Sequence, residues 1–488
     1  MRKLLQLLPQ GCFAHTQQPA PSLPKQKVED CRARTLPPGK EVWTAPPSPC
    51  GSWGPMIPEG SVPAMLGFLL LLLLLCVGVW GRKADVLSSS GSQLFCKPSA
   101  LAAHLETRCR SLKGFCEASW PWRALPFLQT LASGMGPLDS GVHFVRTYLQ
   151  LRDGGLVALD WAVGPAPQKR RPTSRSGCAP LLLLVPNSFG KVTRNISKLC
   201  HLALRHGYCP VVFNRRGQNG CPLSTAALQP YGHPGDLQEA VQYIRSCCPG
   251  ALLFAVGESS GAGLLLSYLG ECGSSSHVTA AGCISPIFGP REWFEAGCPW
   301  LWRQLLLLYQ KVWLSRFATM LGEVLPLQEF FGGQSLRALE EALFCQTQSW
   351  DSYWERNDPL RDVDEVAVPV LCICSQDDPV SGDPRGTLPF ELFETNPYFF
   401  LVLTQGGSHC GFFKDGLCSA FWSHEVLLEF FRTTVDFLLT EDESQGQARK
   451  RGARPELKVT QGVSGSRQES WSPPDIPDIC SWQRSYTR

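Results

Sequence analysis

Blocks of apolar residues alternate with loops along this chain, and their period changes from block to block. TYLQLRDGGLVALDWAV (147–163) has two alternating stretches around Asp153-Gly154-Gly155, which predicts a β-hairpin. APLLLLVPNSFG (179–190) is a continuous apolar run that ends in loop residues, the pattern of a fully buried strand. NISKLCHLALRHG (195–207) has helical spacing and a glycine stop. YCPVVFNRRG (208–217) reads as strand then loop, and GDLQEAVQYIRSCCPG (235–250) as a helix with Asp236 early and Pro249-Gly250 closing it. ALLFAVGESSGAGLLLSYLG (251–270) is strand, turn, helix, and HVTAAGCISPIF (277–288) is strand again. VPVLCICSQDDPV (368–380) and YFFLVLTQGGSHCGFF (398–413) are further strand-to-loop units, and HEVLLEFFRTTVDFLL (424–439) is a final helix. Buried strands alternating with amphipathic helices predict an α/β fold: a mostly parallel sheet covered on both faces, within a domain spanning about 95–440.

Three segments break this rhythm. Residues 290–355 are rich in aromatics and leucine, with helical patches such as WLWRQLLLLYQKVWLSRF, and are expected to form a helical insertion, either simply packed or capping a lipid-binding cleft. Residues 1–64 are rich in Pro, Gln and Gly without periodicity, and 441–488 are polar; both are expected to be disordered. Between the first of these and the domain, MLGFLLLLLLLCVGVW (65–80) is followed by Arg82 and Lys83. It falls just short of the roughly 17 to 25 residues of a spanning helix. Charge after the run favours a membrane anchor over 65–81 with the domain on the cytosolic side; the alternative is a cleaved signal and a secreted domain. Met65 also offers a start site, with residues 1–64 then an artefact of the gene model.

Composition narrows the function. With 488 residues, 44% of them hydrophobic, the chain can bury a large core. A net charge of +3 from scattered basic residues gives no nucleic-acid footprint. The 22 cysteines lack paired C-x-x-C spacing and often sit inside apolar runs, as Cys283, Cys372 and Cys374 do. They are read as reduced core residues, and neither a metal nor a cofactor is expected.

In open α/β sheets, ligands bind beyond the carboxyl ends of the strands. There the chain offers Gly257-Glu258-Ser259-Ser260-Gly261, then Asp377-Asp378-Pro379, then Gly406-Gly407-Ser408-His409. Serine, carboxylate and imidazole in that order match an α/β-hydrolase triad. A sharp strand-to-helix turn requires small residues two before and two after the nucleophile, which selects Ser259 over Ser260, whose flank would be Glu258. His409 is the expected base, Asp378 its orienting carboxylate and Asp377 the fallback. Oxyanion donors are expected from the N–H of Ser260 and from the loop near Asn187 and Ser188. His424, which opens a helix, is read as structural. Asn195-Ile196-Ser197 is a glycosylation sequon, discounted because it lies inside a helical run of a domain placed in the cytosol.

FNRRG (213–217), DLQEAVQYIR (236–245), GESSG (257–261), DDPV (377–380) and GGSHCGF (406–412) resemble the AB-hydrolase 4 family of α/β-hydrolases. CKPSALA, YLQLRDGGLVALDW, LLSYLGECGSSS, REWFEAG, RNDPLRDVDE and the final WQRSYTR are similar to one member in particular, over about residues 65–488. The resemblance implies an α/β-hydrolase fold, an N-terminal membrane segment, and esterase or lipase chemistry on lipid esters; the expected membrane is the endoplasmic reticulum. By position its triad falls on Ser259, Asp378 and His409. Two places depart from the family's pattern: Pro186-Asn187-Ser188-Phe189-Gly190 replaces a Gly-rich turn, and Ser408 stands where glycine is common. For its subfamily the resemblance also implies an alternative role, regulating adipocyte lipolysis as a scaffold for a cyclic-nucleotide phosphodiesterase.

Overall fold

The computed structural model describes residues 91–114, 126–135, 141–164, 178–414 and 421–452. The expectations for residues 1–64, for the apolar run at 65–80 and for the chain beyond 452 lie outside the described residues. Among the described residues no helix is long and apolar enough to cross a membrane.

Nine strands form one sheet: β1 (Gln93–Phe95), β2 (His143–Gln150), β3 (Leu156–Val163), β4 (Leu181–Val185), β5 (Cys209–Asn214), β6 (Leu253–Glu258), β7 (Ala280–Ile284), β8 (Val370–Ser375) and β9 (Phe399–Thr404). Their spatial order is β1-β9-β8-β7-β6-β4-β5-β3-β2. The six strands from β5 to β9 run parallel; β1, β2 and β3 are antiparallel additions at the two edges. The hairpin pairs His143 with Val163 through to Gln150 with Leu156, and Gly154 takes φ 82° in its turn.

The principal helices are α1 (Ala100–Arg108), α2 (Pro126–Met135), α3 (Arg194–Arg205), α4 (Gly235–Cys247), α5 (Ser260–Cys272), α6 (Trp300–Ser315), α7 (Leu336–Phe344), α8 (Trp350–Asn357) and α9 (Trp422–Gly452). β4 shows why the central strands are apolar throughout. Leu182 and Leu184 enter the core beneath α1, α3 and α9, while Leu181, Leu183 and Val185 enter the core beneath α4 and α5. Side chains alternate between faces, and both faces are covered, so no position tolerates water. This is the mostly parallel, two-sided α/β sheet expected from the alternating pattern, in the α/β-hydrolase architecture that the resemblance implies.

Between β7 and β8 the described chain is helical, as the 290–355 pattern implies, and its side chains form a third core of their own around Trp302, Phe330, Tyr353 and Trp354. Two features depart from expectation. β1, α1 and α2 precede the hairpin, where the pattern gave no element. α9 continues to Gly452, so residues 441–452, expected to be disordered, are helical. That extension, TEDESQGQARKRG, is built largely from good helix formers and ends at glycine, so propensity carries the helix past its apolar face. No disulfide joins the cysteines among the described residues, in keeping with their reading as reduced.

Candidate active site

β6 ends at Glu258 and α5 begins at Ser260; Ser259 between them has φ 54° and ψ −121°. Left-handed backbone at a non-glycine residue costs about 1–3 kcal/mol and persists only where neighbours enforce it. Here the Ser259 N–H donates to Ile284 O (2.9 Å), and the Ala262 N–H donates to Ser259 O (3.0 Å). A Cβ on Gly257 would lie 2.4 Å from Ala262 Cα, so that glycine is what lets strand and helix meet. A Cβ on Gly261 would instead lie 2.3 Å from Val185 O and 2.4 Å from Pro186 O. The second glycine therefore seats α5 against the end of β4, whose loop carries Asn187 and Ser188.

Ser260 is the first residue of α5, so its N–H is one of the helix's orphan donors, at the positive end of the helix dipole. Its hydroxyl lies 2.5 Å from that of Ser188. Asn187 Oδ1 accepts from the Phe189 N–H (3.1 Å) and shapes its own loop. Asn187, Ser188, Ser259, Ser260 and His409 all line one cleft.

The imidazole arrives on the loop after β9. His409 Nε2 lies 2.8 Å from Ser259 Oγ, and its Nδ1 lies 2.8 Å from Asp378 Oδ2. All three residues are more than nine-tenths buried. Asp378 Oδ1 accepts from the N–H groups of Val380 (2.8 Å) and Ser381 (3.0 Å). Burial pushes the Asp378 pKa up, but the His409 imidazole and these N–H groups outweigh it and hold the carboxyl below its ordinary value. Asp377, the fallback, makes no hydrogen bond to His409. Its Oδ1 accepts from the Ser408 N–H (2.7 Å) and the Ser375 hydroxyl, and burial raises its pKa to about 6. Adjacent aspartates thus divide the work: one faces the imidazole, the other ties down the loop that carries it.

That loop is unusual. Ser408, Cys410 and Phe412 all take positive φ, at 52°, 59° and 43°. The departure to serine at 408 therefore places a Cβ in a conformation that suits glycine. Two residues that the pattern did not single out hold the loop in place. Thr130 Oγ1 accepts from the His409 N–H (3.2 Å), and Ser285 Oγ accepts from the Cys410 N–H (3.0 Å). Ser285 sits just past β7, a strand end like the others, so its position was the available signal. Thr130 lies on α2, which has no motif.

Beneath the serine, Glu258 accepts from Asn195 Nδ2 (3.0 Å) and Thr193 Oγ1 (3.1 Å), and His424 Nε2 lies 2.6 Å from Asn195 Oδ1. Burial lowers the His424 pKa to about 3, so its ring is neutral and Nε2 donates to Asn195. The sequon asparagine is 1% exposed and its amide is committed to this network.

The cleft over Ser259 holds about 410 Å³ and passes beneath α6, with Leu131, Trp302, Leu306 and Val312 among its mainly apolar walls. An attacking hydroxyl, a base on it, a carboxylate behind the base and an apolar channel are what transfer of a hydrophobic acyl group requires. Among the described residues no group of three or more His, Cys, Asp or Glu is placed to hold a metal ion.

No protein-family profile matches the chain. Protein ABHD15 of Homo sapiens is 52% identical over 406 residues, 82% of this chain and 86% of that protein. Phospholipase ABHD3 of Mus musculus is 29% identical over 60% of this chain and 72% of that protein. Monoacylglycerol lipase of Saccharomyces cerevisiae is 21% identical over 66% of this chain and 78% of that protein. Among solved structures, a soluble variant of monoglyceride lipase from Saccharomyces cerevisiae is similar, at 19% identity and a TM-score of 0.38, over 59% of this chain and 94% of that one.

Proposed function

Because the chain belongs to the AB-hydrolase family of α/β-hydrolases, we propose that it is a membrane-associated serine hydrolase that cleaves a lipid or other acyl ester. One observation carries the reading: Ser259, His409 and Asp378 form an unbroken hydrogen-bonded line that opens into an apolar cleft. Ser259 Oγ attacks the acyl carbonyl while His409 Nε2 takes its proton. Asp378 accepts from Nδ1–H, fixing the tautomer and steadying the imidazolium. The carbonyl oxygen becomes an oxyanion against the Ser260 N–H and the loop at Asn187 and Ser188, with the α5 dipole behind it. His409 returns the proton to the leaving alcohol; water, activated by the same imidazole, then releases the acid. Another alcohol in place of water would make the same chemistry acyl transfer.

The names of two relatives, a phospholipase and a monoacylglycerol lipase, support a lipid ester. Trp300, Leu308 and Val312 stand exposed on α6, and the last two also line the cleft, which supports a membrane-facing entrance. The run at 65–80 would supply the anchor, with the domain on the cytosolic side.

The test is labelling by a fluorophosphonate probe, with wild type labelled and Ser259→Ala blank. Folded wild-type protein that stays unlabelled would refute the proposal. The second reading, a scaffold for a cyclic-nucleotide phosphodiesterase, draws on the glycine-poor loop at 186–190. It requires that Ser259→Ala restore function in cells lacking the protein.

A further inference from the structure

The two arginines of FNRRG are treated differently by the fold. Arg216 is fully employed: its Nε and Nη2 reach Asp236 Oδ2 and Oδ1 at 2.6 and 2.7 Å, and its Nη1 reaches Asp153 at 2.5 Å. Arg215, next to it, is 9% exposed and forms no ion pair among the described residues, and its buried Nη2 has no hydrogen-bond partner. Asp236 and Glu340 attract it only from a distance, and burial still holds its pKa below the ordinary arginine value; a buried guanidinium with no carboxylate in contact is among the costlier features a fold can carry, because desolvation is not offset by close pairing.

Arg215 lines a small cavity of about 80 Å³ between the loop after β5 and the cap. Other polar atoms there are also unsatisfied: the Tyr231 hydroxyl and the side-chain oxygens of Gln218 and Gln229. The cavity is not isolated from the chemistry. Ser188 and Tyr309 line both it and the cleft over Ser259, and the Ser188 hydroxyl touches that of Ser260. One carboxyl, Glu340, faces the same space. It accepts from the Tyr353 hydroxyl, and burial raises its pKa to about 7, so near neutrality it is partly protonated and able to donate.

We propose that the cavity around Arg215 is a head-group subsite, binding a phosphate-sized anion that belongs to the same molecule as the acyl ester at Ser259. The guanidinium and the Tyr231 hydroxyl supply donors to the anion. The two glutamine oxygens accept from hydroxyls beside it, as a glycerol phosphate would offer. The volume suits such a group and excludes an acyl chain, which the larger apolar cleft takes instead. This deepens the hydrolase proposal and rests on it for the ester. The anion site itself stands on the cavity alone, and the experiment separates the two.

Two substrates with the same chain and glycerol, a monoacylglycerol and a monoacylglycerol phosphate, are compared on the full-length protein. Wild type is expected to favour the phosphate by tenfold or more in kcat/KM, chiefly through KM. In Arg215→Gln the ratio falls toward one, and in Arg215→Lys much of it returns. Equal use of both substrates by wild type, or an unchanged ratio in Arg215→Gln, overturns the proposal. Binding is measured separately by thermal shift in Ser259→Ala protein. Stabilisation by the monoacylglycerol phosphate that is lost in Ser259→Ala/Arg215→Gln supports the subsite even if no turnover or probe labelling is found, in which case only the hydrolase reading fails. Stabilisation by inorganic phosphate alone, without the lipid, overturns the head-group assignment. The empty Arg215→Gln protein is expected to melt at or above the wild-type temperature; a lower melting temperature marks a structural arginine and overturns the proposal.

Discussion

The sheet and the cap are put together on different terms. In the sheet, five residues of β6 and all of β7 and β9 are apolar or small, and each strand is held by backbone ladders on both sides. The loops at its carboxyl ends inherit that rigidity, which is how Ser259 and Asp378, far apart in sequence, each come to lie 2.8 Å from the imidazole of His409. In the cap, short helices meet one another, and Tyr231 of the loop after β5, mainly through rings: Phe294, Trp350, Tyr353 and Trp354 pack edge to face, tilted or in parallel. Such packing sets the shape of a cavity but no backbone register. The sheet therefore positions the reacting atoms, and the cap decides what reaches them.

The sharpest way to break that comparison lies in the adjacent aspartates. Asp378→Asn is expected to lower kcat on any cleaved ester by about 10⁴-fold, the effect of losing the tautomer-fixing carboxylate. Asp377→Asn, whose new side chain still accepts from Ser408, is expected to stay within about tenfold. Steady-state kinetics on both variants checks this, and equal losses would remove the division of labour.

The next effect belongs to the cap and is a stability effect. Burial raises the Glu340 pKa from its ordinary 4.5 to about 7, so the folded state holds that proton more tightly than the unfolded chain. The resulting stability is fully present below about pH 4.5 and is lost as pH rises to about 7, on the order of 3 kcal/mol. Glu340→Gln is expected to remove that loss. Urea unfolding at pH 5 and pH 8 would show a smaller drop in the variant than in wild type.

The smallest effect returns to the loop after β9. Ser408 holds φ 52° with its hydroxyl buried and unpartnered. Ser408→Gly is expected to stabilise by about 1 kcal/mol, as left-handed strain is relieved against a small entropic cost. Thermal denaturation measures it, with probe labelling of Ser259 retained.

The sequence carried the sheet well because a strand buried on both faces must be apolar at successive positions, as LLLLV at 181–185 is. The turn at Ser259 was legible for steric reasons, although the clash that fixes Gly261 comes from β4, a neighbour no local pattern reveals. The sequence ranked Asp378 ahead of Asp377 as the orienting carboxylate, but the role of Asp377 in tying down the Ser408 loop appears only from the direction of its side chain. Thr130 was hidden because its contact is to a backbone N–H 279 residues away. The cavity at Arg215 was equally hidden, since two successive arginines look alike until one is seen with partners and the other without.

The burial of Asn195 makes the chain a reporter of its own route. Its amide can dock on Glu258 only if it is bare, and oligosaccharyl transfer acts on segments still unfolded in the lumen. A domain threaded across the endoplasmic reticulum would meet that enzyme before the pocket closed, and a sugar there would hold α3 away from the floor of the site. Sensitivity of the mature protein to a glycosidase at this one sequon would thus read out on which side of the bilayer it folded.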